Sequence, residues 1–442
     1  MKTEDILSKI GVGIPEIYLP AEGIDMSTWA VIACDQFTSE PAYWREVEEI
    51  VGDAPSTYRM ILPESDLESP EKDEKIRRIR KTMNRYRKEE ILVSAGSGGM
   101  LVKRSTPYSP DRWGLVAALD LEYYDYSPGS RSLIRATEKT ILERIPPRRA
   151  IREGADFELP HIMVLIDDPE HTVIRPLVDT HSSLEVKYDF SLMLGGGRVT
   201  GYFLPPGRLW EKTAEALDAL ADPVRFEKSY GAASPLLFAM GDGNHSLATA
   251  KTVWEDIKQS SGGGIGDHPA RWALVEIVNL YDPGLVFHPI HRILSSVRPD
   301  RLIAAFESAG WNIAESPLIE STSVPEAHTR GTHTAAGIIG GSRYELELAE
   351  PRLDYPVESI DAVLKEYLDA EPQARIDYVH DAQTVREAGL MPDGAGLFLP
   401  DFPKGDLFSA VVAKGALPRK SFSLGHSREK RYYLEARKIS ED

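Results

Sequence analysis

The stretch Pro235-Leu-Leu-Phe-Ala-Met240-Gly241-Asp242-Gly243-Asn244-His245-Ser246 reads as a short buried strand that runs through two glycines into a helix. The apolar run from Pro235 to Met240 is short and suits a strand covered on both faces. After it, Leu247, Ala250, Trp254 and Ile257 fall on one face of a helix over residues 246–258. The glycines permit a tight turn and let a ligand approach the backbone closely. A helix start offers unpaired N–H groups and a partial positive charge, so Asp242, Gly243, Asn244, His245 and Ser246 make a candidate phosphate or carboxylate site. A plainer account stands beside it: Asp242 or Asn244 caps the helix, the glycines serve the turn, and His245 bonds locally.

Outward from that turn, strands and helices alternate. Residues 29–34, 57–62, 99–103, 113–124 and 161–166 read as strands, and 41–51, 67–90 and 209–220 as helices. In the helix over 67–90, Ile76, Ile79, Met83 and Tyr86 mark the apolar face. Its many Lys and Arg residues read as a solvated face balanced by neighbouring Glu and Asp, with an anion-binding stripe as the alternative. A short helix from about Glu138 is expected to end at Pro146-Pro147. The run 260–266, Ser-Ser-Gly-Gly-Gly-Ile-Gly, reads as a flexible boundary, giving an N-terminal α/β region over 1–265 and a C-terminal α+β region over 266–442. The latter opens with a strand over 271–281. A helix over 301–310, a hairpin around Gly340-Gly341-Ser342, a helix over 357–368 and a final strand over 431–439 follow. Interspersed elements with irregular connections imply a mixed α/β (α+β) fold.

Composition bounds the function. The 442 residues are 42% hydrophobic and 27% charged, which excludes disorder as the dominant state. No run approaches the ~20 apolar residues of a membrane span, and the first residues lack a secretory signal's apolar core, so a cytoplasmic protein is expected. The single cysteine, Cys34, excludes an internal disulfide and a thiolate metal cage. A net charge of −18 would repel a polyanion, so no nucleic acid is expected as partner and a small phosphorylated molecule is. Oligomeric state is not encoded in any motif. His288 and His291 are separated by Pro289 and have no nearby carboxylate or cysteine, so no metal site is read there. Gly195-Gly196-Gly197-Arg198 lacks the lysine and Ser/Thr of a phosphate-binding loop and reads as a hairpin turn.

A second constellation, Arg135-Ala-Thr137-Glu138-Lys139-Thr140-Ile-Leu-Glu143-Arg144, fits a capping box over Thr140 and Glu143. Phosphoryl transfer to an alcohol needs a carboxylate to take the proton and cations to offset charge. Glu138 fits the first role, and Lys139 or Arg135 the second. A capped surface helix with an ion pair is the alternative. Asp35, just after the strand over 29–34, stands where α/β sheets place ligand groups, or else serves a turn.

Residues 241–246 resemble the G-D-G-x-H turn that begins a helix in the ParB/sulfiredoxin superfamily and are similar to the Asp-Gly-His-Thr-Arg turn of free serine kinases. More of the chain resembles a bacterial and archaeal family designated domain-of-unknown-function family 1015. Its Ala-Asp-Gly-His-His-Arg turn is matched by residues 241–246, and its His-Glu-Lys-Thr segment by Thr137-Glu138-Lys139-Thr140. Asp282-Pro-Gly284-Leu285 with Pro289-Ile-His291-Arg292, and Pro418-Arg419-Lys420-Ser421, match two further features in the family's order. The departures are Ser246 for the arginine that holds a nucleotide phosphate in the superfamily, Asn244 for a histidine, and Thr137 for a histidine. A guanidinium fork is not replaced by a hydroxyl, so the cation must come from elsewhere, with Arg135, Lys139, Arg175 and Lys420 as candidates. Sulfiredoxin chemistry is excluded, because its catalytic cysteine falls in this turn, where Asn244 stands.

The resemblance implies a ParB/sulfiredoxin-like core and a nucleotide- or phosphate-dependent enzyme, such as a phosphotransferase, acting on a small metabolite. Glu138, Lys139 and His245 would be catalytic; Asp242, Gly243, Asn244, Ser246 and Arg135 would hold phosphate. ATP or ADP with Mg²⁺ is the implied donor. The alternative is a sensor or scaffold that binds a small anion without turnover, which the loss of the arginine at position 246 favours.

Overall fold

The computed structural model describes residues 2–38, 40–127, 129–159, 161–262, 266–318, 331–418 and 420–441. Residues 263–265 of the expected flexible run and Arg419 of the Pro418–Ser421 match lie outside them. The chain forms two compact units. The first comprises Met1–Val286, Gly405–Leu417 and Gly425–Asp442, and the second Phe287–Lys404 and Pro418–Leu424.

The first unit is built on a ten-stranded sheet. Its strands are β1 (Val12–Gly13), β2 (Gly99–Ser105), β3 (Arg112–Asp120), β4 (Tyr124–Asp125), β5 (Ile134–Arg135), β6 (Met163–Ile166), β7 (Glu185–Ser191), β8 (Arg198–Leu204), β9 (Phe238–Asp242) and β10 (Trp272–Asn279). Their order is β7-β8-β2-β3-β10-β6-β9-β5-β4, with β1 joined to β3. Pairing is antiparallel except for β6 with β10, β9 with β5, and β4 with β5. The four helices used below are α1 (Lys72–Lys88), α2 (Ile145–Arg152), α3 (Arg208–Leu220) and α4 (Asn244–Ser260).

Apolar spacing fixes these elements. Ile76, Ile79, Met83 and Tyr86 of α1 are buried and pack with Trp29, Met60, Leu62 and Phe157. Leu247, Ala250 and Trp254 of α4 are buried against the sheet with Leu237, Met240 and Ile277. All four residues of β6 are buried, as a strand covered on both faces requires.

Several expectations are corrected. Trp272–Asn279, which follows the expected boundary at 265/266, sits in the middle of the large sheet between β3 and β6. The chain therefore divides near Val286, and its last residues return to the first unit. Residues 57–60 are a 3-10 turn rather than a strand, because Ser56 caps the Tyr58 N–H and Thr57 Oγ1 bonds the Trp29 carbonyl. Only Val31–Ile32 of the run 29–34 is a strand; Met26–Trp29 is a helical turn. Pro146 and Pro147 open α2 instead of ending a helix, since a proline's missing N–H is harmless in a first turn. Thr140 and Glu143 form no capping box; Ile141 precedes the short 3-10 turn that leads into α2. The final strand over 431–439 is two short ladders, Tyr432–Tyr433 on Val31–Ile32 and Arg437–Lys438 on Phe157–Glu158.

The second unit carries a six-stranded sheet of β11 (His291–Ser295), β12 (Asn312–Ser316), β13 (Thr332–Ile339), β14 (Ser342–Ala349), β15 (Arg375–Val379) and β16 (Gly394–Phe398), ordered β12-β14-β13-β16-β11-β15. The expected hairpin is β13–β14, turning at Gly340 and Gly341, both at positive φ. The fold is mixed α/β, as the sequence implied.

Candidate functional site

β9 ends at Asp242, opposite Met163 of β6, and a bulge in this pairing falls beside the turn. Gly243 then takes φ 77°, the left-handed region, and α4 begins at Asn244 with no side-chain cap. Alanine would be strained at Gly243: besides its positive φ, a Cβ would lie 3.0 Å from Ile162 Cα and 3.1 Å from Ile162 Cγ1, with His161 Cδ2 in contact at 3.5 Å. The glycine thus lets His161 and Ile162 pass close under the helix start.

The two sequence constellations meet here. Thr137 Oγ1 donates to the Met240 carbonyl at 2.7 Å, and Ile141 N–H donates to His245 Nε2 at 3.2 Å. Asn244 Nδ2 donates to the Glu138 carbonyl (3.2 Å) and Thr140 Oγ1 (3.1 Å), while the Tyr124 hydroxyl donates to Asn244 Oδ1 (3.2 Å). Asn244 is therefore engaged in lacing residues 137–141 across the turn, and so is Nε2 of His245. Glu138 is half-buried and Lys139 exposed beside this lacing.

Arg135 is not brought to the turn. It is buried, and its Nε and Nη2 donate to the carbonyls of Ser132, Ser234 and Pro235, at the far end of β9 from Asp242. Arg175 pairs with Asp179 four residues on, and Lys420 belongs to the second unit. The cation that does reach the turn is Lys430, whose Nζ lies 2.9 Å from Asp242 Oδ2. Asp242 Oδ1 accepts from the Gly243 N–H at 2.8 Å.

Ser246 points toward a second group of residues. Its Oγ lies 3.4 Å from Nε2 of the buried His161, and Asp35 Oδ2 lies 3.6 Å from the same nitrogen. His161 Nδ1 is 2.8 Å from the Tyr433 hydroxyl, which donates to Cys34 Sγ at 3.0 Å and accepts from the Cys34 N–H at 3.2 Å. The carboxylate of Asp35 beside Nε2 favours the charged form of the His161 ring. Burial opposes that charge, but Asp35 first, then Asp242 and Glu64, hold the His161 pKa above the ordinary imidazole value. Burial likewise would raise Asp35, yet His161, Gln36 and Lys430 hold it well below the usual carboxylate range. Cys34 is pushed up to about 12, by burial and then by the charge of Asp35. It remains a thiol and is no nucleophile at neutral pH.

A cavity of about 140 Å³ opens from this group. Cys34, His161, Ser246 and Tyr433 line one end, and Met60, Leu62, Met83, Ile151, Phe157 and Leu159 line its apolar wall. The ion pairs Arg148–Glu64 and Arg152–Glu158 border it.

Sequence reading missed His161, Lys430 and Tyr433. His161 opens the apolar run 161–166, two residues ahead of β6, a signal that could have flagged it. Lys430 and Tyr433 arrive with the returning segment whose Tyr432–Tyr433 pairs with Val31–Ile32. The other motif matches are engaged in packing. Asp282 accepts from the Gly284 and Trp113 N–H groups, and Arg292 makes a two-toothed pair with Asp361 at 2.9 and 2.8 Å. His291 Nδ1 accepts from the Leu399 N–H, and burial, then His380 and Arg292, push its pKa down to about 4.

Fold and site define a mixed α/β protein whose large sheet leads through a glycine turn into an uncapped helix start, with Ser246 and the buried His161 lining one end of a cavity. Residues 18–370 match the family described as protein of unknown function (DUF1015), and the chain belongs to that family. Among curated proteins none matches it. Similar solved structures include a conserved hypothetical protein from Pyrococcus furiosus, at 11% identity and TM-score 0.33 over 70% of this chain and 91% of that one. Free serine kinase in complex with AMP follows at 11% identity and TM-score 0.36, over 72% of this chain and 93% of that one. SbnI with a C-terminal truncation, from Staphylococcus aureus, has 10% identity and TM-score 0.34 over 69% and 84%.

Proposed function

We propose that this protein is a phosphate- or nucleotide-dependent enzyme acting on a small metabolite. A phosphoryl group would sit at the start of α4, against Gly243, Ser246 and Lys430. The observation that supports this most is convergence: the Ser246 hydroxyl at an uncapped helix start and the buried His161 line one cavity end, and Lys430 reaches Asp242 of the same turn. N–H groups at a helix start favour anions, and a fixed cation offsets charge that develops during transfer. In this reading Ser246 and Lys430 replace the arginine fork of the superfamily, and His161 donates a proton or hydrogen bond. Glu138 and Lys139 stay beside the turn as base and charge-neutraliser. Asp242, Asn244 and His245 shape the turn more than they touch the ligand.

ATP or ADP is the proposed donor. No group of three His, Cys, Asp or Glu among the described residues is suited to a metal, and Asp242 and Asp35 already pair with Lys430 and His161. These side chains fit poorly as a protein-held Mg²⁺ site. The ParB/sulfiredoxin kinship of the core, a cytoplasmic location and small phosphorylated partners belong to the same proposal. Among the described residues no helix is long and apolar enough to cross a membrane.

Calorimetric titration with inorganic phosphate, AMP, ADP and ATP tests the binding half. Lys430→Ala should weaken binding about tenfold or more, as losing a charged hydrogen bond does. An unchanged affinity in that variant would sink the assignment. Transfer is tested by mass spectrometry with ATP or ADP, Mg²⁺ and pooled hydroxy metabolites. The commitment of Asn244 and His245 to lacing favours a second reading, a sensor that holds the anion without turnover. Binding without transfer, with Glu138→Gln indistinguishable from the parent, would select it.

A further inference from the structure

The cavity beyond the helix start has a chemistry of its own, and it narrows the ligand class. Its wall is formed by Met60, Leu62, Met83, Ile151, Phe157 and Leu159. None of these side chains offers a strong hydrogen bond; at the border Arg148 pairs with Glu64 and Arg152 lies against Glu158, with the buried Arg152 Nε left without a hydrogen-bond partner. A sugar or a nucleobase placed against such a wall would leave its polar edges unpaired, at a cost of one to several kcal/mol (about 1–3) for each buried group. A hydrocarbon body loses nothing there and gains by leaving water. The opposite end is different in kind. His161 is buried, 6% exposed, and Ser246 Oγ stands 3.4 Å from its Nε2 at the head of α4. The volume, about 140 Å³, suits a short body rather than a long lipid chain.

We propose that this cavity binds a small amphiphilic oxyanion: an acyl or aryl body on the apolar wall, with its carboxylate or phosphate head against His161, Ser246 and the first turn of α4. The inference rests on the proposed anion site for its head group and adds the body. Medium-length fatty acids and aryl phosphates share this chemistry. Two features make the specificity testable. Met60 and Met83 are flexible, polarisable side chains that adapt to more than one body shape. Ala155 also lines the cavity and is buried, so a larger residue there would fill the volume from within.

The experiment is calorimetric titration of the full chain with acetate, butyrate, hexanoate and octanoate, then with benzoate, phenyl phosphate and inorganic phosphate. Affinity should rise about threefold to fourfold per added methylene until the cavity is full, then level off. Phenyl phosphate should bind at least tenfold tighter than inorganic phosphate. A carboxylate series that rises with benzoate while phenyl phosphate stays weak would assign the head as carboxylate, and the reverse would assign it as phosphate. Ala155→Phe should flatten the chain-length dependence while leaving inorganic phosphate binding as it was. A flat series in the parent protein overturns the inference without any variant. If inorganic phosphate binds and the series is flat, the anion site stands and the apolar body falls. If the uncharged alcohols of the same lengths bind as well as the acids, the oxyanion head falls with its site.

Discussion

An acid and a base in the first unit are set by their neighbours rather than by their own chemistry. His161 is held above its ordinary value and Asp35 well below its own, each chiefly by the other against the cost of burial. The raised histidine contributes stability that is complete below the unfolded imidazole pKa and disappears as pH climbs through the folded one. The depressed carboxylate contributes above the unfolded carboxylate pKa and loses that contribution as pH falls through its folded value. The pair therefore works between those two limits. Asp242, Glu64, Lys430 and Tyr433 also face it. His161→Gln strands Asp35 without its partner and should cost about 2–4 kcal/mol at about pH 5.5 and distinctly less at about pH 9. Melting curves at both pH values decide it, and a cost independent of pH would refute the pairing. Asn244 teaches the opposite lesson. Sequence reading made it a phosphate ligand because it lies in the turn, yet its amide is used up on Glu138, Thr140 and Tyr124. Asn244→Ala should destabilise by about 2 kcal/mol in urea unfolding through those lost bonds.

Elements with strong apolar periodicity were legible: α1, α3, α4, β6, β9, β10 and the hairpin β13–β14 all stand close to where their residues predict. What failed was local punctuation. Pro146 and Pro147 are read equally well as a stop or a start, and only the path of the preceding segment, laced to Asn244 and His245, decides for a start. Residues 57–60 carry a strand-like composition but fold as a tight turn, since Ser56 and Thr57 bond backbone groups within reach. The β9–α4 junction is the element on which the site depends. Gly243→Ala forces a Cβ into φ 77° and to 3.0 Å from Ile162 Cα. It should cost about 1–3 kcal/mol in denaturant melts and move His161 away from Ser246. Phosphate affinity in that variant should fall more than a comparable destabilisation elsewhere would produce. A variant that binds phosphate normally would show that the close passage under α4 is not needed.

On the scale of the whole chain, the site depends on residues hundreds of positions apart, which no local spacing could reveal. Gly425–Asp442 returns to the first unit and brings Lys430 to Asp242 and Tyr433 to His161. A buried charge network anchors this return. Arg431 bonds both Glu276 of β10 and Glu435, Arg112 of β3 lies 3.4 Å from Glu276, and Arg437 holds Glu158 at 2.7 Å. Charges so deep are expensive to bury, and such a network adds little net stability over an apolar core of the same shape. Removing one member, however, leaves its partners stranded. Glu276→Gln would leave Arg112 without its carboxylate and weaken the hold on Arg431, while Glu435 still holds Arg431 from within the returning segment. The expected result is a loss of about 2–4 kcal/mol in urea unfolding, accompanied by weaker phosphate binding as Lys430 and Tyr433 lose their placement. Arg437→Met tests the same anchor from its other end, at Glu158. If both variants lose stability but bind phosphate as the parent does, the returning segment holds the fold together without placing the site. The assembly of Lys430 with the α4 start would then have to be explained by the ladder of Tyr432–Tyr433 on Val31–Ile32 alone.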